Sequence, residues 1–148
     1  MEIQILGAHS IEAKGLRLAS FLVDGTLALD AGGLTSSLSL AEQQKVRAIL
    51  LTHHHFDHTR DLVTFAASGA ASSTPVDVYA LSESLDIVRS CLLDGRMYVD
   101  FSTWPSEEKP FLRLTAVEPL QTLIVEGYEV SPVTVRHSVP AVGYQVTS

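Results

Sequence analysis

Residues 52–58 read Thr-His-His-His-Phe-Asp-His, and four of the six histidines in this 148-residue chain fall within them. Neutral imidazoles and carboxylates are donors that zinc, manganese and iron accept when several converge at about 2.0–2.2 Å of one ion. The spacing here favours such convergence. Just past a strand, His53 and His55 stand two residues apart and point the same way, while His54 points the opposite way. Asp57 and His58 follow where the chain turns toward a helix, as a second pair aimed at a neighbouring position. The pattern H-x-H-x-D-H thus builds two adjacent half-sites from one loop. Two ions about 3.5–4 Å apart can activate a water and clamp both oxygens of a displacement.

The elements around the cluster must hold it in place. RAILL (47–51) is a near-continuous apolar run, the signature of a strand buried on both faces, and it leads directly into the histidines. Upstream, EIQIL (2–6) reads as a strand, and SFLV (20–23) and TLALD (26–30) flank Asp24-Gly25, a dipeptide suited to a hairpin turn. Ser39-Leu40-Ala41-Glu42 matches a capping box that should open a short helix through about Val46. Downstream, residues 61–68 read as a helix, SGAASSTP (68–75) as a small-residue loop and VDVYA (76–80) as a strand. Ser82 is expected to cap a helix that buries Leu85, Val88, Cys91 and Leu92 on one face and ends at Gly95. STWPSEEKP (102–110) reads as a surface loop in which Trp104 packs. FLRLTAV (111–117), TLIV (122–125), YEVSPVTVRHS (128–138) and VGYQV (142–146) read as strands, with a hairpin turn at Glu126-Gly127. Strand-rich stretches with interspersed helices predict an α/β (α+β) layered sandwich in one domain.

Composition narrows the function classes. The 46% apolar and 18% charged content is that of a folded globular chain. A net charge of -7, with scattered arginines and lysines, argues against extended nucleic acid as a partner, because a polyanion needs a basic surface. A small anionic substrate held by a metal ion stays compatible. No apolar run is long enough to span a bilayer, and MEIQILGAHS lacks the regions of a signal peptide, so a cytoplasmic location without a membrane partner is the default expectation. The single Cys91 excludes an intrachain disulfide and a multi-cysteine zinc site.

Three segments, ALDAGG (28–33), LLTHHHFDHTRDL (50–62) and VRHSVPAVGY (135–144), stand in the order and spacing of the metallo-β-lactamase superfamily. The chain resembles that superfamily over essentially its whole length. The resemblance implies an αββα sandwich with a metal site at one edge between two sheets. By position, it implies that His53, His55 and His137 ligate a first ion and that Asp57 and His58 ligate a second. Asp57 would also polarise the nucleophile. Asp30 would orient the histidine loop from behind the ligands; the alternative is a simple turn-forming aspartate before Gly32-Gly33. His9 matches no ligand position and is at most a pocket residue.

The setting of His137 in HSVPAVGY is similar to the branch that contains ribonuclease Z and the class II cyclic-nucleotide phosphodiesterases. That implies phosphodiester hydrolysis by a metal-bound hydroxide. GAHSIEAKGLRLAS (7–20), Asp61 and the acidic net charge are unlike ribonuclease Z, so a small phosphodiester such as a cyclic nucleotide is the expected substrate. The family pattern also calls for a bridging aspartate and a last histidine after the third motif, and neither occurs before Ser148. The chain therefore reads as the N-terminal portion of the domain, with two zinc, manganese or iron ions in the complete family site and one in this chain. Alternatives are a truncated or degenerate metal-binding module without catalysis and a ribonuclease Z-like nuclease. An uncovered edge at VGYQV would favour a homo-oligomer through that sheet edge.

Overall fold

The structure, a computed structural model, describes residues 1–70 and 74–148. Strands β1 (Ile3–Gly7), β2 (Ser20–Val23) and β3 (Leu27–Leu29) form an antiparallel meander. Strands β4 (Ala48–Leu50), β5 (Val76–Ala80) and β6 (Leu112–Ala116) extend it in parallel, so six strands lie side by side in chain order. A second, antiparallel sheet contains β7 (Leu123–Val125), β8 (Tyr128–Val135) and β9 (Ala141–Thr147). The crossovers of the parallel half carry α1 (Leu34–Ser37), α2 (Leu40–Gln43), α3 (Phe56–Thr59), α4 (Leu62–Gly69) and α5 (Ser82–Cys91). None of these helices is long and apolar enough to cross a membrane.

Two cores sandwich the large sheet. Leu34, Leu62, Phe65, Leu85 and Val88 from the helices pack with Ile49, Val78 and Leu112. On the other face, Leu27, Ala48 and Leu50 meet Val125 and Val130 of the small sheet. The alternation along β4 explains its unbroken apolar sequence: Ile49 faces the helices while Ala48 and Leu50 face the second sheet. The layers are therefore helices, six strands and three strands. Among the described residues no helix covers the outer face of the small sheet, where Ile124, Val133 and Val135 are exposed.

Both hairpin turns form as expected, with positive φ at Asp24 and Gly25 and at Glu126 and Gly127. Ser39 and Glu42 form the reciprocal capping box, although the helix it opens ends at Gln43 rather than Val46. Three local expectations need correction. Ser82 is the first helical residue and Leu81 the N-cap, with no side-chain cap bond. Cys91 is exposed, not core. The end of α5 explains why: the N–H groups of Leu92 and Leu93 both donate to the Val88 carbonyl (2.9 and 3.1 Å), and the chain turns so that Leu93 enters the core. The expected loop at 68–75 begins later, since Ser68 and Gly69 complete α4, and residues 71–73 lie outside the described residues. Trp104 packs edge-to-face on Phe101 at a ring-centroid distance of 5.9 Å.

Candidate metal centre

The site sits where β3 and β4 end together. Leu29 pairs with Leu50 in the sheet, so the residues that follow each strand leave it side by side. Asp30 leaves with φ +60, and its N–H donates to the Leu50 carbonyl at 2.9 Å. Its carboxylate, buried at 3% exposure, accepts from the Thr52 N–H at 2.8 Å, from the Thr52 hydroxyl at 3.0 Å and from His58 Nδ1–H at 2.7 Å. Burying a carboxylate is costly unless such donors replace its water. Asp30 is thus more than a turn residue, as it ties the β3 loop to the histidine loop.

Close backbone packing completes the tie. Ala31 N–H donates to His58 O and Ala31 O accepts from Asp61 N–H, both at 2.7 Å. A Cβ at Gly32 would lie 1.8 Å from the Asp57 carbonyl oxygen and 2.8 Å from that of Ala19, so only glycine lets the two loops meet. Gly32→Ala is expected to destabilise the protein by about 2–3 kcal/mol, read from denaturant unfolding, as backbone rather than a yielding side chain must move.

Within the motif, His55 is the N-cap of α3. The His58 N–H donates to the His55 carbonyl at 2.9 Å, and the Thr59 hydroxyl donates to the same oxygen at 3.1 Å. This single turn brings Asp57 and His58 together, with His58 Nε2 3.5 Å from Asp57 Oδ2. Asp61 has a role that sequence reasoning missed. Its buried carboxylate accepts from the Thr35 N–H at 2.7 Å, at the start of α1, and from Arg60 Nε at 2.8 Å. A contact across 26 positions leaves no local signal.

His137 arrives from the turn between β8 and β9. That turn is held to the histidine loop by Val142 N–H, which donates to Thr52 O at 3.0 Å, and by the Tyr144 hydroxyl, which donates to Leu51 O at 3.0 Å. Burial, together with the nearby Asp30 charge, pushes the Tyr144 phenol up, so it stays a hydrogen-bond donor. Tyr144→Phe removes that bond and is expected to cost about 1–2 kcal/mol in urea unfolding.

Three imidazole nitrogens converge as a result. His53 Nε2 lies 3.0 Å from His55 Nδ1, and His137 Nε2 lies 3.1 Å from His53 Nε2 and 3.2 Å from His55 Nδ1. Lone pairs this close repel unless a proton or a cation lies between them. One ion about 2.0–2.1 Å from each nitrogen fits that triangle, so the donor set suits a divalent metal. Among the described residues this is the one group of three such donors.

Burial, followed by the neighbouring His58, His137 and His55, pushes His53 down to about 4, so it is neutral near pH 7 and free to donate a lone pair. For His58 burial works against the charged form, yet the hydrogen bond and charge of Asp30 outweigh it and raise its pKa. His54 faces away, with Nδ1 3.3 Å from Ser84 Oγ, and His9 is exposed beside Leu18. An open cleft of about 340 Å³ lies against His53 and His137 of the triad, with Thr52, His58, Arg136 and Gly143 also in its wall.

Comparison with known proteins agrees with this geometry. Residues 21–148 match the model of the family described as beta-lactamase superfamily domain. The chain is 33% identical over 104 residues to a ribonuclease Z of Pseudomonas putida, covering 69% of this chain and 30% of that protein. It is 31% identical over 100 residues to an octanoyltransferase of Porphyromonas gingivalis, covering 67% of this chain and 19% of that protein. The metallo-beta-lactamase fold protein YhfI from Bacillus subtilis superposes with a TM-score of 0.76 at 16% identity, over 98% of this chain and 57% of that one. Yeast PDE1 superposes with a TM-score of 0.71 at 17% identity, over 97% and 59%. The chain spans less than a third of the curated relatives it matches and under three-fifths of these two structures. It belongs to the beta-lactamase superfamily domain family and has the metallo-β-lactamase fold.

Proposed function

We propose that this domain takes part in the metal-dependent hydrolysis of a small phosphodiester, such as a cyclic nucleotide. His53, His55 and His137 hold a first divalent cation, and Asp57 and His58 contribute to a second. The convergence of three imidazole nitrogens within 3.2 Å beside an open cleft carries this reading. Bound zinc, manganese or iron would supply Lewis acidity and an activated water there. The chain's own residues do the rest. Asp30 keeps His58 turned toward Asp57, and Asp57 orients the attacking water. Arg136, in the wall of the cleft, adds a positive charge suited to a phosphate oxygen. Likeness to a ribonuclease Z supports phosphodiester chemistry, while the net charge of -7 favours a small substrate over transfer RNA.

A second reading, metal binding without turnover, draws on the Asp57–His58 pair, because two donors alone bind an ion weakly. Elemental analysis after reconstitution with zinc, manganese or iron, run beside hydrolysis of bis(p-nitrophenyl) phosphate and a cyclic nucleotide, separates the two. Turnover that a chelator abolishes supports the hydrolase. One tightly bound ion with no turnover supports the binding module. Failure to retain any metal would refute both. Preferential cleavage of a transfer RNA precursor would move the assignment to a ribonuclease Z-like nuclease.

A further inference from the structure

Thr52 holds none of the ligand roles above, yet it touches all three segments that make the centre. Its N–H and hydroxyl both reach Asp30, after β3. Its Oγ1 lies 3.0 Å from His53 Nδ1 and 3.3 Å from His58 Nδ1. Its carbonyl accepts from Val142 N–H at 3.0 Å, just after the turn that carries His137.

The hydrogen count decides what the His53 contact must be. A hydroxyl has one hydrogen and two lone pairs, and a carboxylate offers acceptors only. The Thr52 hydrogen therefore goes to Asp30, and the 3.0 Å contact with His53 needs a ring N–H. A neutral imidazole carries a single N–H. With that hydrogen on Nδ1, the lone pair is left on Nε2, the atom 3.0 Å from His55 Nδ1 and 3.1 Å from His137 Nε2.

We propose that Thr52 is a positioning residue which, backed by Asp30, holds His53 in the Nδ1–H tautomer and so aims its Nε2 lone pair at the metal position. Asp30 accepts from His58 Nδ1–H directly, at 2.7 Å. One buried carboxylate thereby sets the rings of both half-sites, His58 by its own hydrogen bond and His53 through the threonine. The inference rests on the metal-centre reading for the use of that lone pair. The tautomer itself can be measured without any metal.

Long-range ¹H–¹⁵N correlation spectra of the metal-free protein, labelled on its histidines, read the tautomer, with His53→Gln assigning the signal. Wild-type His53 is expected to carry its hydrogen on Nδ1. Thr52→Val keeps the branched shape without the hydroxyl. It is expected to shift His53 toward Nε2–H and to lower zinc affinity about 10- to 100-fold in a chelator competition. Thr52→Ser restores the hydroxyl and is expected to return the tautomer and bring the affinity within about threefold of wild type. A purely structural threonine would change the unfolding midpoint without moving the ¹⁵N signature. Wild-type His53 found with its hydrogen on Nε2 would overturn the proposal even if Thr52→Val failed to fold. So would a folded Thr52→Val protein with the wild-type signature and zinc affinity. A wild-type protein that shows the Nδ1–H form but binds no zinc would count against the metal reading and support the tautomer assignment.

Discussion

His55→Ala is expected to weaken zinc binding by roughly 100- to 1,000-fold, whereas His54→Ala, one residue away, leaves it within about threefold. The magnitude follows from the roughly 10–16 kcal/mol of a structural zinc site, shared over four ligands. His55 Nδ1 stands within 3.2 Å of both His53 Nε2 and His137 Nε2, so its loss removes one corner of the triangle. His54 points to Ser84 on α5 and contributes to packing there. Competition against a chromophoric chelator measures both variants. Equal losses from the two would show that His54 also turns toward the ion, against its contact with Ser84. Any turnover of a phosphodiester should disappear with His55 and persist without His54.

Asp30→Ala is expected to destabilise the fold by about 4 kcal/mol or more, before any metal is added. The substitution leaves the Thr52 N–H, the Thr52 hydroxyl and His58 Nδ1–H without their acceptor in a buried place. It also puts alanine at φ +60, a conformation that aspartate and asparagine tolerate better. Domains of this size have about 5–15 kcal/mol in total, so the loss is a large share. Asp30→Asn keeps the backbone preference and one acceptor oxygen, and is expected to lose about half as much. Urea unfolding with and without zinc measures each. An Asp30→Ala midpoint equal to that of wild type would contradict the role of Asp30 in tying the β3 loop to the histidine loop.

The parts of this fold that were legible in the sequence are those whose causes are local or periodic. β4 was legible because both of its faces are buried, which leaves an unbroken apolar run. The capping box at Ser39 and the turns at Asp24-Gly25 and Glu126-Gly127 rest on residues within three positions of one another. His53 and His55 were legible as a pair from alternation alone. His137 was not, since 82 residues separate it from His55 and only likeness to a known family pointed to it. Asp61 and Thr52 escaped for a related reason: each acts through hydrogen bonds to segments far away in the chain. Cys91 departs from the expected core because it is the last residue of α5, and the turn that follows carries Leu93 into the core in its place.

The triad draws its members from both sheets, two from the end of β4 and one from the turn after β8. An ion gripping all three would act as a cross-link, closing a loop of more than half the chain in the folded state alone. Docking of the small sheet on the large one is then governed by the free concentration of the cation as well as by the contacts of Val125 and Val130. In thermodynamic terms the stability of the sheet interface would be linked to the ion, loosened by its scarcity and tightened by its abundance.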